Sequence, residues 1–204
     1  MAPKSERPGS SNVGSQRVND ERRWLSDFVG FFIGLNFFRD LGQTAEAVAD
    51  HLEREYRDEW GMPIDPQFHD VELLLLQYDR KRTYYDTWEA DVGPGNAVYA
   101  SLLRKIGELS SGTLRIENIE EIWPDDGRGA RVAFIANGRR IELEMMAPDD
   151  RIDLKFFGAI RELVGGMSAI RPFITVSGDF FELVMMTDGE KETIESARGW
   201  RFDG

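Results

Sequence analysis

The sequence predicts an α+β fold, in which an N-terminal helical layer packs on a C-terminal, mostly antiparallel sheet carrying two helices, in the order βββαββα. Three observations carry that prediction. Apolar residues recur at three- and four-residue steps up to about residue 110 and alternate after it. Two turn dipeptides, Asn137-Gly138 and Gly178-Asp179, lie inside the alternating part. A helix-start signal follows each of the two resulting hairpins.

Residues 1–19 are rich in Ser, Gly, Pro and Asn without apolar periodicity and read as a mobile tail. Residues 20–110 read as helical. From Glu21 onward, Trp24, Phe28, Phe31, Leu35 and Phe38 form a stripe at helical spacing. A second helix has Thr44 as its cap and Ala45, Val48, Leu52 and Tyr56 as its apolar side, and stops near Gly61. Pro66 suits the first turn of a third, on which Phe68, Val71, Leu75 and Tyr78 share a face. The cluster Arg80-Lys81-Arg82 then reads as that helix's C-terminal end, where cations meet the negative pole of the dipole, with Tyr84, Tyr85 and Trp88 packing on the core. A basic cluster beside aromatics could also grip RNA or a phosphorylated ligand. A fourth helix follows Gly93-Pro94-Gly95, carries Leu102, Leu103, Ile106 and Leu109, and ends at Ser110-Ser111-Gly112.

Residues 113–204 form the α+β region, expected to make one compact unit with the helices. The strand from about Thr113 to Trp123 changes phase at Asn118, which a β-bulge explains. Asn137-Gly138 supplies the two positive φ values of a type I′ turn. A two-residue loop there sets Phe134 opposite Ile141, Val132 opposite Leu143 and Ala130 opposite Met145 on an apolar face. The reverse face pairs Arg131 with Glu144 and Ala133 with Glu142 and should be solvated. Gly178-Asp179 opposes Val176 to Phe181, Ile174 to Leu183 and Pro172 to Met185, with Phe173 and Val184 behind. Both faces of that hairpin are apolar, so it is either the most buried part of the sheet or an interface. Asp153 can cap the helix bearing Leu154, Phe157, Ile160 and Val164, and Thr187 with Glu190 forms a capping box for the last helix.

At 204 residues with 41% hydrophobic content, the chain can bury a substantial core. It has no cysteine, which excludes disulfides, a thiolate nucleophile and thiolate metal sites and suits a reducing cytoplasm. The first twenty residues lack the apolar core of a signal peptide. The most apolar stretch, residues 24–38, is interrupted by Asp27 and Asn36 and is too short to span a bilayer. A net charge of −12, from 37 acids against 25 bases, argues against direct DNA binding, which draws its affinity from cations that neutralise phosphates. The same charge suits a basic protein partner.

Few groups offer chemistry. His51 and Glu55 have the one-turn spacing of a ligand pair, but a zinc helix needs a second imidazole there, and His69 beside Asp70 is no better provided. Glu120-Glu121, Asp125-Asp126 and Asp149-Asp150 are adjacent acids, which a strand points to opposite faces and a turn points to solvent, whereas paired catalytic carboxylates must face each other. Asp125-Asp126-Gly127 opens like a calcium loop, yet Arg128 and Ala130 occupy later ligand positions. Gly127-Arg128-Gly129 reads as a flexible turn, and no phosphate-binding glycine motif follows a strand. No catalytic residue, metal or cofactor is expected. The tryptophans stand near element ends, where they close a core margin or form a binding patch.

The run from Ser111-Gly112 into a strand with Ile119, Glu121 and Trp123, the Asn137-Gly138 hairpin, Asp153-Leu154, Asp179 and the ending Ala197-Arg198-Gly199-Trp200-Arg201-Phe202 resembles small bacterial α+β proteins found among toxin immunity proteins. The resemblance implies a stoichiometric inhibitor that occupies a toxin's active site or substrate surface. From residues and resemblance together, the chain is expected to be a non-enzymatic, acidic, cytoplasmic module that binds a basic protein through Glu120, Glu121, Asp125, Asp126, Glu142, Glu144 and Trp123. The alternatives are a hydrolase or nucleotide-handling enzyme acting through His51, Glu55 or His69, and a homo-oligomeric subunit assembled through the second hairpin and residues 24–38.

Overall fold

A computed structural model describes residues 11–68, 70–87, 91–125, 129–146 and 151–203. It is α+β, and the chain divides into two compact units, Met1–Tyr78 and Asp79–Gly204.

The first unit holds α1 (Ser11–Gly34), α2 (Ala45–Trp60) and the short α3 (Val71–Leu76). α1 packs against α2, burying Leu25, Phe28, Val29 and Phe32 on the former and Val48, Ala49, Leu52 and Tyr56 on the latter. Phe28 and Phe32 sit 4.8 Å apart by ring centroid, and Phe32 meets Phe37 edge-on at 5.4 Å. Each such fully buried ring is worth about 1.5–3 kcal/mol of transfer free energy. Arg22 of α1 bridges Asp50 and Glu53 of α2. The Thr44 hydroxyl accepts from the Ala47 amide, and Gly61, at φ 68, closes the C-terminus of α2. Both follow the expected caps.

Two expectations for this part need correcting. Residues 11–19 are not tail but the opening of α1, a stretch whose polar composition hides its helicity; residues 1–10 lie outside the described residues. The third helix does not start at Pro66, because Asp70 adopts the left-handed conformation at φ 62 and helix begins only at Val71. Phe68 is accordingly exposed, rather than lining a face with Leu75 and Tyr78.

The second unit contains β1 (Thr83–Thr87), α4 (Val98–Leu109), β2 (Ile116–Ile122), β3 (Gly129–Ala136), β4 (Arg139–Met146), α5 (Lys155–Val164), β5 (Arg171–Ser177), β6 (Phe180–Met186) and α6 (Asp188–Arg198). The five expected strands are joined by β1, and the six divide into two antiparallel sheets ordered β1-β6-β5 and β2-β3-β4. Residues 80–87 are therefore no helix end; Arg80, Lys81 and Arg82 lie in the turn that leads into β1. Trp88 lies outside the described residues.

Both hairpins keep the register that their turns dictate. Phe134 opposes Ile141, Val132 Leu143 and Ala130 Met145; Val176 opposes Phe181, Ile174 Leu183 and Pro172 Met185. β6 lies in the middle of its sheet and is buried from Phe181 to Met186, so its two apolar faces belong to the interior. One core joins the inner faces of both sheets to α4 and α5, with Tyr99, Leu103, Val132, Phe134, Phe156, Phe157, Phe181 and Leu183 among its fully buried members.

Candidate functional site

The bulge in β2 decides which acids face outward. Its register against β3 shifts between Glu117 and Glu120, with Asn118 at φ 51, as the phase change at Asn118 foretold. After the shift, Glu120 opposes Ala133, Glu121 opposes Val132 and Ile122 opposes Arg131. Val132 belongs to the core, so Glu121 points inward while Glu120 and Ile122 point outward.

Across the three strands the outward residues form rows: Glu117, Ile135 and Arg140; then Glu120, Ala133 and Glu142; then Ile122, Arg131 and Glu144. Ala133, itself buried, lies between two glutamates on strands about 10 Å apart. Glu142 is held by the Arg140 guanidinium at 3.0 Å, and Glu117 by Arg115 at 2.7 Å. Glu120, Glu144 and Arg131 have no hydrogen-bond or ion-pair partner among the described residues. Three ionic groups thus stand on one face without a partner among the described residues.

Gly129 and Met146 form the last row. A Cβ at Gly129 would lie 2.6 Å from the Met145 carbonyl oxygen, so this first residue of β3, which the sequence reads as part of a flexible turn, allows a close backbone approach. A depression of about 520 Å³ opens here, lined by Ile122, Pro124, Arg131, Glu144 and Met146 among others. Ile122 is 42% and Met146 61% exposed. The face therefore combines an apolar pocket with a rim that carries Glu120, Glu144 and Arg131.

Not every expected contact residue belongs to it. Glu121 accepts from the Ala100 amide at 2.8 Å through one carboxylate oxygen and from the Trp123 indole N–H at 3.0 Å through the other. Trp123 is half-buried against the core. Both residues serve the fold. Asp125 is exposed in the turn after β2, and Asp126 lies outside the described residues. Glu120, Glu142 and Glu144 are the members that the structure brings together. Ile122, Arg131 and Met146 were missed as site residues, although alternation placed Arg131 on the solvated face and Met146 out of phase with core Met145.

The remaining polar groups are accounted for locally. His51 Nε2 lies 4.0 Å from Glu55, and its Nδ1 faces Arg54 at 2.8 Å; His69 lies outside the described residues. No group of three or more His, Asp or Glu side chains gathers as a cation site among the described residues, and no helix there is long and apolar enough to cross a membrane. Arg82 donates to the Met185 carbonyl and to both oxygens of Glu190, at 3.1 and 2.9 Å, which ties β1 to the start of α6. The Tyr99 hydroxyl donates to the Met146 carbonyl at 2.7 Å and accepts from the Asp153 amide at 3.0 Å. Burial is the main cause that pushes its pKa up to about 12. Glu182, central in β6 between Tyr85 and Thr175, is fully buried, and neither carboxylate oxygen has a partner among the described residues. Burial pushes its carboxyl well above the ordinary range.

No family model, curated protein or solved structure matched the chain.

Proposed function

We propose that this chain is a non-enzymatic module that binds a basic protein through the outer face of the β2-β3-β4 sheet, without direct contact to DNA. Its narrower form is an immunity-type inhibitor that covers the working surface of a basic toxin one to one. One observation carries the reading: exposed Ile122 and Met146 flank a pocket on the same face as the carboxylates of Glu120 and Glu144, which have no partner among the described residues. An apolar anchor fills such a pocket and supplies affinity, while rim charges steer the encounter and select the sign of the partner. The acidic whole, at −12, strengthens that steering.

Affinity purification from native cells tests the reading. A basic protein should co-purify at stoichiometric yield and be released as ionic strength rises well above physiological, because screening weakens rim charges first. Recovery of the chain without a stoichiometric basic protein would contradict it.

A further inference from the structure

β4 is an edge strand, with β3 on one side and no strand on the other among the described residues. The two-residue turn makes Ala136 and Arg139 a hydrogen-bonded pair, so Ile141, Leu143 and Met145 continue bonding to β3. Arg140, Glu142 and Glu144 therefore turn their N–H and C=O groups away from β3. The next residue in that set, Met146, confirms the alternation, since its carbonyl accepts from Tyr99 instead. The outward backbone groups of Arg140, Glu142 and Glu144 have no partner among the described residues.

We propose that β4 pairs antiparallel with β4 of a second copy of this chain, about a two-fold axis at Glu142, joining two three-stranded sheets into one of six. Charge picks this occupant over a basic strand. Charged side chains commonly guard an edge, but along β4 their sign changes, from Arg139 and Arg140 to Glu142 and Glu144, so this edge is complementary to an antiparallel copy of itself. A uniformly basic strand would meet two arginines. An antiparallel copy instead sets each Arg140 opposite the other copy's Glu144, and each Ile141 opposite the other copy's Leu143 on the core face. In that register all the outward groups of the three residues find partners, because Glu142 exchanges both bonds with its counterpart. The two Glu142 carboxylates that meet at the axis are each already held by their own Arg140. The inference shares the Glu144 side chain with the proposed function but rests on the backbone edge of β4, and its test is made on the chain alone, so failure of one reading is distinguishable from failure of the other.

Sedimentation velocity on the full chain, alone and over a wide micromolar range, tests it. A reversible, concentration-dependent dimer is expected. Glu142→Pro removes an N–H that β3 does not use and should weaken the dimer about tenfold or more. Arg140→Glu should weaken it similarly, and Arg140→Glu combined with Glu144→Arg should restore it, a rescue that only this register provides. A chain that stays monomeric throughout, a dimer indifferent to Glu142→Pro in a variant with unchanged circular dichroism, or a double swap without rescue would each overturn the proposal. Should Glu142→Pro fail to fold, the charge swap decides alone.

Discussion

The Glu121 carboxylate accepts a hydrogen bond from the Ala100 amide at 2.8 Å and so caps α4 from a neighbouring strand. The helix needs it. Its N-cap residue, Ala97, has a left-handed backbone at φ 51 and no side chain able to bond the first turn, which holds no acid of its own. A carboxylate beside those free N–H groups gains both a charge-assisted hydrogen bond and the dipole's favour. Glu121→Ala should therefore lower the unfolding free energy by about 2 kcal/mol, while its outward neighbour Glu120→Ala changes it by less than about 0.5 kcal/mol. Urea denaturation of the two variants side by side checks the assignment, and equal effects would refute it.

Glu182 makes stability depend on pH. Its folded pKa lies above the ordinary value of 4.5, so between 4.5 and the folded pKa the native state holds a proton that the unfolded chain releases. Stability is complete below pH 4.5 and declines as pH rises through the folded pKa. Glu182→Gln keeps the shape without the proton, so its advantage over the parent should grow above pH 4.5, by up to about 1.4 kcal/mol per pH unit. Thermal midpoints of both proteins across pH 4 to 9 give the readout, and parallel curves would sink the idea.

Glu190 acts in the opposite sense. Burial by itself would raise its pKa, but hydrogen bonds from Arg82 and from the Thr187 amide and hydroxyl outweigh it and hold the carboxyl below 4.5. That contribution is present above pH 4.5 and lost as pH falls through the folded pKa. Arg82→Met leaves Glu190 and the Met185 carbonyl short of a donor and should cost about 2–3 kcal/mol near pH 7, with the deficit shrinking below pH 4.5. Denaturant midpoints at pH 7 and pH 3.5 measure both parts.

Elements written into local sequence were legible. Asn137-Gly138 and Gly178-Asp179 set both hairpins because a two-residue turn leaves one register, and Thr187 with Glu190 announces its capping box because both partners lie within one turn. β1 was not legible. Thr83-Tyr84-Tyr85-Asp86-Thr87 becomes a strand by pairing with Val184 to Phe180, about a hundred residues away, and nothing nearby announces that. The short α3 depends on a left-handed Asp70 that its own neighbours do not demand. In the site, the acidic residues could be found by type, but their sides hung on one bulge: the register shift before Glu120 sends Glu120 outward and Glu121 to the core. Ile122 and Met146 surfaced only once the rows across the sheet were known.

The most direct test of the account compares two charge reversals on the co-purified basic protein. Glu120→Lys with Glu144→Lys alters the outer sheet face; Glu192→Lys alters an exposed acid on α6. Binding measured by calorimetry should weaken by about a hundredfold or more for the first and by less than about threefold for the second. Equal losses for both, or undiminished binding by the double reversal, would place recognition elsewhere on the molecule.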